Sequence, residues 1–261
     1  MIEVLSGLSK NVSNLVLHLT RNQTGRDFVV GDIHGHFELF DLLLKDIAFN
    51  PKIDRIISVG DTIDRGPESE RALSFWKQPW FYMVRGNHEA MLAGTVGANP
   101  NMYGLWMQNG GEWSSDTPDA LLREMADFYE HSPYAIMIDT AHGDVGVVHA
   151  DMPDHRSWSK LVKSLEKKKA TARDLKSLLW SRETYRAYRM NLEYGGAFTE
   201  PTVEGVHKIY VGHSIVRNPV IFGNTVFIDT GAYCNGKLTA VDLATEDVII
   251  VQPRTDEYES F

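Results

Sequence analysis

The sequence predicts an α/β fold centred on a βαβαβ unit, because a strand-and-turn segment recurs three times between residues 28 and 89. Each segment begins with a short apolar run rich in β-branched residues and stops at a polar cluster that contains glycine. The clusters begin at Gly31, Gly60 and Arg85, and this spacing suits successive βαβ units, which need roughly 30 residues each. We therefore expect three parallel strands whose clusters meet at the carboxyl edge of one sheet, where open α/β sheets bind ligands.

The other elements follow from apolar periodicity and turn residues. Apolar side chains at helical spacing predict helices at residues 37–47, 68–76, 90–131 and 157–190. Pro67 lies near the start of the second helix, where its missing N–H has no cost. Alternating or continuous apolar runs predict strands at residues 28–30, 56–59, 81–84, 134–138, 145–148, 209–211, 220–222, 226–228, 238–241 and 248–251.

Length and composition predict one large domain. We place it at residues 26–252, after an N-terminal preamble with a weak helical pattern (1–25) and before a polar C-terminal tail (253–261). The net charge of −9 argues against nucleic acid as the main partner. The single cysteine, Cys234, fits a reducing compartment. No apolar run approaches the roughly 20 residues of a membrane span, and the N-terminus lacks a signal-peptide layout. We expect a cytoplasmic protein that binds no membrane, as a monomer or a dimer.

The polar clusters contain ligands for two divalent metal ions. Two such ions about 3.5–4 Å apart clamp a phosphoryl group and lower the pKa of a bound water. The candidate ligands all lie just after apolar strands: Asp61, placed to bridge, Asp32 and His34 for the first ion, and Asn87, His149 and His213 for the second. Because only two of these side chains are carboxylates, the pocket stays positive toward phosphate.

Neighbouring residues suit the remaining catalytic roles. An imidazole donates a proton to a leaving alkoxide or phenoxide near neutral pH, and His88 is the candidate for this role. Asp64 is placed to orient that imidazole and keep it protonated. Arg65 and Arg85 follow in the same loops, and Arg182 lies in the later helical region. Their planar guanidinium groups match phosphate oxygens.

Each of these features alone has an ordinary structural interpretation. A Gly-Asp pair after a strand is most often only a turn. A histidine at a strand end is most often a hydrogen-bonded structural residue, and we keep that interpretation for His142, His155 and His207. Three polar clusters in order, each after a predicted strand at βαβ spacing, do not arise readily by chance. The combination therefore indicates a metal-dependent phosphoryl-transfer site.

The three clusters resemble the signatures of a known family. Gly31–Gly35, Gly60–Gly66 and Arg85–Glu89 resemble those of the metal-dependent phosphoprotein phosphatase superfamily, and the nearest likeness is to the bacterial and bacteriophage lambda-type serine/threonine phosphatases. Further segments share this likeness, which extends over residues 26–243: Ile57–Asp61, Pro79–Phe81, His149–Asp151, Trp180–Glu183, Gly212–His213 and Ile228–Ala232.

The resemblance implies a calcineurin-like metallophosphatase fold, in which two mixed β-sheets form a sandwich flanked by helices and the βαβαβ core carries the metal site. It implies two divalent ions on the six ligands given above, with Mn²⁺ expected and iron or zinc as alternatives. It makes His88 the general acid with Asp64 behind it, and it makes Arg65, Arg85 and Arg182 the phosphate contacts. Hydrolysis would proceed by in-line attack of a hydroxide held by the two metals, without a phosphoenzyme.

The first hypothesis is a phosphatase acting on phosphoserine and phosphothreonine in proteins or peptides, with phosphotyrosine as a further substrate. The alternative is a symmetrical hydrolase of dinucleotide polyphosphates such as diadenosine tetraphosphate, whose members share the metal motifs. Asp64–Gly66 and Glu89 favour the phosphatase, because the tetraphosphatases usually alter the second motif and end the third in Asp. The complete ligand set and His88 argue against a third hypothesis, a metal-binding scaffold without catalysis. His36 stands where the lambda type often carries Cys, and we expect it to be non-ligating.

Overall fold

Two β-sheets form the centre of the molecule in a computed structural model, which describes residues 15–153, 157–196 and 200–253. The strands in chain order are β1 (Val16–Leu19), β2 (Asp27–Val30), β3 (Arg55–Ser58), β4 (Phe81–Met83), β5 (Ala135–Thr140), β6 (Gly143–Val147), β7 (Lys208–Val211), β8 (Val220–Phe222), β9 (Thr225–Phe227), β10 (Leu238–Asp242) and β11 (Val248–Val251). The helices are α1 (Phe37–Asp46), α2 (Ala72–Trp76), α3 (Asn87–Val96), α4 (Pro100–Met107), α5 (Asp119–Glu130), α6 (Trp158–Glu166), α7 (Ala172–Trp180), α8 (Glu183–Glu193) and α9 (Ala232–Asn235), with 3₁₀ turns at Ser69–Arg71 and Glu112–Asp116.

The five-stranded sheet confirms the predicted βαβαβ unit. Its order is β11-β10-β2-β3-β4, and β2, β3 and β4 run parallel, with Val29 opposite Ile57 and Ile57 opposite Tyr82. Helix α1 connects β2 to β3, and α2 connects β3 to β4. All three parallel strands therefore end at the same edge, and the three polar clusters follow there.

The six-stranded sheet is mixed, with the order β1-β5-β6-β7-β9-β8. Strands β5 and β6 form an antiparallel hairpin, whereas β6, β7 and β9 run parallel. The end of β6 leads to His149 and the end of β7 leads to His213. This sheet therefore brings two predicted metal ligands from a distant part of the chain to the site.

The weak helical pattern predicted for the preamble is wrong at residues 16–19, which form β1. This strand pairs in parallel with β5, with Val16 opposite Ala135, and both Val16 and Leu19 are buried. Pairing with a neighbouring strand overrides the helical preference of the leucines, since strand formation depends strongly on tertiary context. Residues 1–14 and the tail from 254 lie outside the described residues, so the boundaries at residues 25/26 and 252/253 stay predictions.

Three apolar clusters hold the layers together. One lies between the two sheets and joins Val29 and Ile57 of the five-stranded sheet to Ile136 and Tyr210 of the six-stranded sheet. A second packs the outer face of the five-stranded sheet against helices α1 to α5, and a third packs the outer face of the six-stranded sheet against α6 and α7. The predicted sandwich flanked by helices is thus confirmed. Among the described residues, none of the helices has the length and apolar content that crossing a bilayer requires.

Candidate metal centre and active site

Unusual backbone conformations mark the site. Nine non-glycine residues in the described part of the chain have positive φ, a conformation that L-residues seldom adopt. Five of the nine are predicted site residues: His34 (φ 47°), Asp61 (49°), Asp64 (71°), Arg65 (69°) and His213 (61°). Such strain persists only where the surrounding structure enforces it, and it clusters at functional sites.

Asp61 lies at the centre of the site and is buried. Its Oδ2 lies 3.3 Å from His149 Nε2 and 3.8 Å from the Nε2 atoms of both His34 and His88. Its Oδ1 accepts a hydrogen bond from the His88 backbone N at 2.9 Å. Burial alone would raise the pKa of Asp61, but His149 and then His88 lower it well below its ordinary value. Asp61 is therefore a carboxylate that faces imidazoles on both sides.

Asp32 and His213 carry buried polar atoms for which the described part of the structure offers no hydrogen-bond partner, namely Asp32 Oδ1 and His213 Nε2. Asp32 Oδ2 accepts from the His213 backbone N at 3.0 Å. Burial, then the Asp229 and Asp61 carboxylates, raise the pKa of Asp32 well above its ordinary value. Burial, then His149, lower the pKa of His213 to about 3, so its imidazole is neutral. An unpaired carboxylate oxygen and an unpaired neutral imidazole nitrogen each offer a lone pair that a divalent cation would coordinate.

The other imidazoles are oriented by backbone carbonyls. His34 Nδ1 lies 2.9 Å from Ile63 O, and His149 Nδ1 lies 2.7 Å from Val59 O. These bonds direct both Nε2 atoms into the site, as in metal centres whose histidines bond outward through the other ring nitrogen. His149 Nε2 also lies 2.9 Å from Asn87 Oδ1.

These side chains form two groups that share one member. The potential ligand atoms of His34, Asp61 and His88 lie within 4.8 Å of one another, and so do those of Asp61, His149 and His213. The donor set of carboxylate, imidazole and amide oxygen suits Mn²⁺, iron or zinc. The residues present therefore fit two neighbouring divalent ions with Asp61 between them.

His88 belongs to the first group by distance, but its ring is held by Asp64. His88 Nδ1 lies 2.7 Å from Asp64 Oδ2, and Asp64 is fully buried. Two tryptophan indoles, Trp106 and Trp113, also donate to the Asp64 carboxylate. Burial raises the pKa of Asp64, and the bonds from His88 and the indoles oppose that rise. The imidazole thus presents Nε2 to the site from a fixed position.

The three predicted arginines occupy different environments. Arg65 Nη1 donates to His34 Nε2 at 2.9 Å, and its guanidinium lies over the Tyr233 ring at 4.2 Å, so it belongs to the site. Arg182 Nη2 donates to the His213 carbonyl at 3.1 Å, and its side chain is exposed beside the site.

The guanidinium of Arg85 differs from the expectation for a phosphate contact. Its Nε and Nη2 each donate at 2.7 Å to backbone carbonyls of Ser132 and Glu130, and the Tyr129 and Tyr134 rings lie against it. The carbonyls of Glu130, at the end of α5, and of Ser132 lack helical partners, and Arg85 donates to both. Arg85 therefore supports the loop before β5, and among the described contacts none joins its guanidinium to the metal-site side chains.

Sequence reasoning missed several residues that support the site. From the sequence, Glu89 is the end of a motif that favours the phosphatase; in the structure its buried carboxylate accepts from Asp61 N at 3.1 Å, Thr62 N at 2.7 Å and Thr62 Oγ1 at 2.8 Å. Asp229 is buried near Asp32, and burial raises its pKa to about 6. Trp106 and Trp113 lie on either side of Asn109-Gly110-Gly111, and this turn-forming sequence is the local feature that could have indicated their approach to Asp64. His36, expected to be non-ligating, pairs with Glu38 at 2.9 Å.

The chain is similar to known phosphatases over most of its length. A sequence model of the calcineurin-like phosphoesterase family matches residues 28–216. Serine/threonine-protein phosphatase 2 of Escherichia coli (strain K12) is 35% identical over 217 residues, which cover 81% of this chain and 90% of that protein. A symmetrical bis(5'-nucleosyl)-tetraphosphatase of Pseudomonas fluorescens (strain Pf0-1) is 30% identical over 149 residues, covering 56% of this chain and 48% of that protein.

Solved structures share the fold. A protein serine/threonine phosphatase from Saccharomyces cerevisiae, with similarity to human phosphatase PP5, superposes with a TM-score of 0.61 at 18% identity, covering 100% of this chain and 91% of that one. At that identity the likeness establishes the architecture alone. The family model covers more than half of the chain, and the Escherichia coli relative aligns with most of it. This protein therefore belongs to the calcineurin-like phosphoesterase family, within its bacterial phosphoprotein phosphatase branch.

Proposed function

We propose that this protein is a metal-dependent phosphomonoester hydrolase that acts on phosphoserine and phosphothreonine in proteins or peptides. One observation carries the proposal: two groups of potential metal ligands share Asp61, and His88, a member of the first group, is bonded through Nδ1 to the buried Asp64. The similarity to bacterial serine/threonine-protein phosphatases supports the substrate class.

The proposed ligands divide between two ions around Asp61. Asp32, His34 and Asp61 would hold one ion, and Asp61, Asn87, His149 and His213 would hold the other, with Mn²⁺ as the expected metal. When bound, such a pair lowers the pKa of a water and neutralises charge on the phosphoryl group. The unpaired Asp32 Oδ1 and His213 Nε2 belong to different proposed ions, which supports occupation by two.

Two arginines would bind the phosphoryl oxygens. The Arg65 guanidinium lies over the Tyr233 ring beside His34, whereas Arg182 projects from the start of α8. Guanidinium groups provide planar pairs of donors that match phosphate oxygens. For Arg85 we propose a supporting role, because its donors are engaged by the Glu130 and Ser132 carbonyls.

His88 would act as the general acid. Its Nδ1 is bonded to Asp64, so Nε2 remains to donate a proton to the leaving oxygen of the phosphoester. Asp64 stabilises the protonated imidazole and fixes the ring. A serine or threonine alkoxide is a poor leaving group, so this proton is essential for the proposed substrates.

The alternative substrate is a symmetrical dinucleotide polyphosphate, since relatives named as tetraphosphatases also align with this chain. Two features favour the phosphomonoester. Glu89 is present, and its carboxylate secures the backbone of the bridging residue Asp61 and of Thr62. The Asp64-Arg65-Gly66 sequence is also intact, and both of its charged residues contact site histidines.

The test supplies both substrates in parallel. The protein is stripped of metal and assayed with a phosphothreonine peptide and with diadenosine tetraphosphate, before and after addition of Mn²⁺. We expect Mn²⁺-dependent release of phosphate from the peptide and slow or absent cleavage of the dinucleotide. Faster cleavage of the dinucleotide would establish the alternative, and inactivity on both with two metals bound would indicate a scaffold.

The single cysteine and the net charge of −9 support a cytoplasmic location and protein rather than nucleic-acid partners.

A further inference from the structure

The segment Trp106–Trp113 surrounds Asp64 and has no role in the function proposed so far. It runs from the last turn of α4 into the 3₁₀ turn at Glu112–Asp116. Trp106 Nε1 lies 3.0 Å from both carboxylate oxygens of Asp64, and Trp113 Nε1 lies 2.7 Å from Oδ1. Two indoles therefore donate to a single carboxylate that is shielded from solvent.

The same segment also holds the backbone of the next residue. The Gly110 carbonyl accepts a hydrogen bond from Arg65 N at 3.1 Å, and Gly110 has φ +98°, which favours glycine. A Cβ on Gly111 would approach the Trp106 ring to 2.8 Å, so only glycine fits there. The Trp106 and Trp113 rings meet edge to face, with centroids 6.0 Å apart. The chain is thus shaped to bring both indoles onto Asp64 while it supports Arg65.

The chemistry of indole restricts what these contacts do. An indole N–H donates a hydrogen bond and cannot accept one, and it does not ionise near neutral pH. Its bonds to Asp64 therefore favour the ionised carboxylate, which burial alone would disfavour. Trp113 donates to Oδ1, and Trp106 lies equally far from both oxygens. Oδ2 therefore remains available to accept from His88 Nδ1. A buried network in which every polar group has a hydrogen-bond partner also fixes the positions of its side chains.

We propose that Trp106 and Trp113 are positioning residues for general acid catalysis, which hold the Asp64 carboxylate in line with His88 Nδ1 so that His88 delivers its Nε2 proton to the leaving group. The inference rests on the proposed function. As the oxygen of water forms a bond to phosphorus, the bond from phosphorus to the seryl oxygen breaks and its electron pair stays on that oxygen. The seryl oxygen takes the Nε2 proton of His88, the proton lost by the attacking water passes to solvent, and His88 takes up a proton from solvent before the next turnover.

The test compares leaving groups in the full-length, Mn²⁺-loaded protein. A phosphoserine peptide needs a proton on its departing oxygen, whereas para-nitrophenyl phosphate releases a stable phenolate that does not. Trp113→Phe and Trp106→Phe each keep a ring and remove the N–H, and His88→Asn removes the acid itself. The matched control is Trp158→Phe, because Trp158 is equally buried and its Nε1 has no hydrogen-bond partner among the described residues.

We expect each variant at Trp106 or Trp113 to lower kcat about tenfold on the phosphoserine peptide and about twofold or less on para-nitrophenyl phosphate, a fraction of the full contribution of a general acid. KM should stay unchanged. His88→Asn should show the same selectivity with a larger loss, and Trp158→Phe should stay within about twofold on both substrates. Equal losses on the two substrates, or no loss on either, would overturn the inference. Trp113 is only partly buried, so Trp113→Phe remains informative if Trp106→Phe fails to fold.

A second readout separates this inference from the proposed function. Inactivity of the wild-type protein on both monoesters would defeat the function itself. In the Zn²⁺-loaded protein, the downfield proton resonance of His88 Nδ1–H is assigned by its loss in His88→Asn. It should shift in Trp113→Phe and stay in place in Trp158→Phe, because only the first change alters the acceptor Asp64. An unshifted resonance in Trp113→Phe would overturn the inference whether or not turnover is found.

Discussion

Each of the two sheets supplies one wall of the site, and the two walls differ in the hydrogen bonds that hold their side chains. The first wall consists of the turns at residues 31–36, 60–66 and 85–89, and the second consists of His149, Arg182 and His213. In the first wall, the Asp64 carboxylate accepts from Trp106 and Trp113 and bonds to His88, and the Glu89 carboxylate accepts three bonds from Asp61 and Thr62. Both walls have a ligand atom without a hydrogen-bond partner among the described residues (Asp32 Oδ1 and His213 Nε2) and an exposed arginine (Arg65 and Arg182), so the difference lies in the bonds to Asp64 and Glu89.

Both walls contribute proposed metal ligands, but the proposed acid lies on the first wall and Arg182 on the second. The backbone around Arg182 is anchored, because Ser181 Oγ and Thr184 N donate to the Asp151 carboxylate at 3.2 and 2.9 Å. The exposed side chain of Arg182, which has a hydrogen bond to the His213 carbonyl, is therefore the part that we expect to adjust to a substrate. The proposed acid and the bridging ligand lie on the firmly held wall, where a small displacement is costly for catalysis. A movement of the Arg182 side chain would leave both of them in place.

The largest effect should come from Asp61→Asn, since this side chain lies between the two groups of ligands. An amide at this position removes the negative charge that both ions would share. We expect turnover of the phosphothreonine peptide to fall about a thousandfold. Metal content per protein chain, measured after dialysis against Mn²⁺, should drop below two. Full activity with two metals retained would show that Asp61 does not bridge.

The sequence predicted the first wall because its chemical residues directly follow the strands that position them. Three parallel strands fix where Asp32, Asp61 and Asn87 emerge, and no distant residue is needed to place them. The ligand and acid roles themselves remain proposals. The sandwich of two sheets and the family came from motif resemblance, and the fold and the comparisons confirm both.

Other features were beyond sequence reasoning because distant residues determine them. The direction of the Arg85 side chain is set by carbonyls at Glu130 and Ser132, more than 40 residues along the chain. The indole bonds to Asp64 join residues separated by 42 and 49 positions. Strand β1 forms because β5, which begins at residue 135, offers it a partner. Local periodicity contains no information about contacts of this range.

Glu89→Gln should show how far the first wall depends on its support. The carboxylate accepts from the backbone N–H groups of Asp61 and Thr62, and an amide places an N–H against one of these donors. We expect the affinity for Mn²⁺ to fall about tenfold, as is typical when a partner of a ligand is removed. Titration of metal-free protein by calorimetry measures this. Wild-type affinity with normal activity would mean that the turn holds its shape without Glu89.

Arg182→Ala tests the second wall, and Arg182→Lys is its matched control. Loss of one charged pair of hydrogen bonds to phosphate should raise KM for the phosphothreonine peptide about tenfold. The lysine variant keeps the charge but loses the planar geometry, so it should show an intermediate KM. Metal content should stay at the wild-type level in both variants. A loss of metal in Arg182→Ala would mean that Arg182 supports His213, whose carbonyl it contacts, rather than the substrate.

The smallest effect should come from Asp54→Asn, at the edge of the five-stranded sheet opposite the first wall. Asp54 is buried, and it accepts bonds from the Arg26 side chain at 2.7 Å and from the backbone N atoms of Arg26 and Asn50 at 2.8 and 3.0 Å. Burial opposes its ionisation, but these bonds prevail and lower the pKa of Asp54 in the folded state. Its contribution to stability is therefore present above the unfolded-state pKa of about 3.9 and is lost as the pH falls through the folded-state pKa.

At pH 7 we expect Asp54→Asn to lower the free energy of unfolding by about 1 kcal/mol, and we expect this difference to shrink below about pH 4. Urea denaturation at a series of pH values measures it. Metal affinity should not change, because Asp54 supports the sheet at the end remote from the ligands. A difference that is constant with pH would show that the carboxylate charge contributes nothing. A parallel loss of metal would show that the rigidity of the first wall depends on the whole sheet rather than on Glu89 and the residues around it.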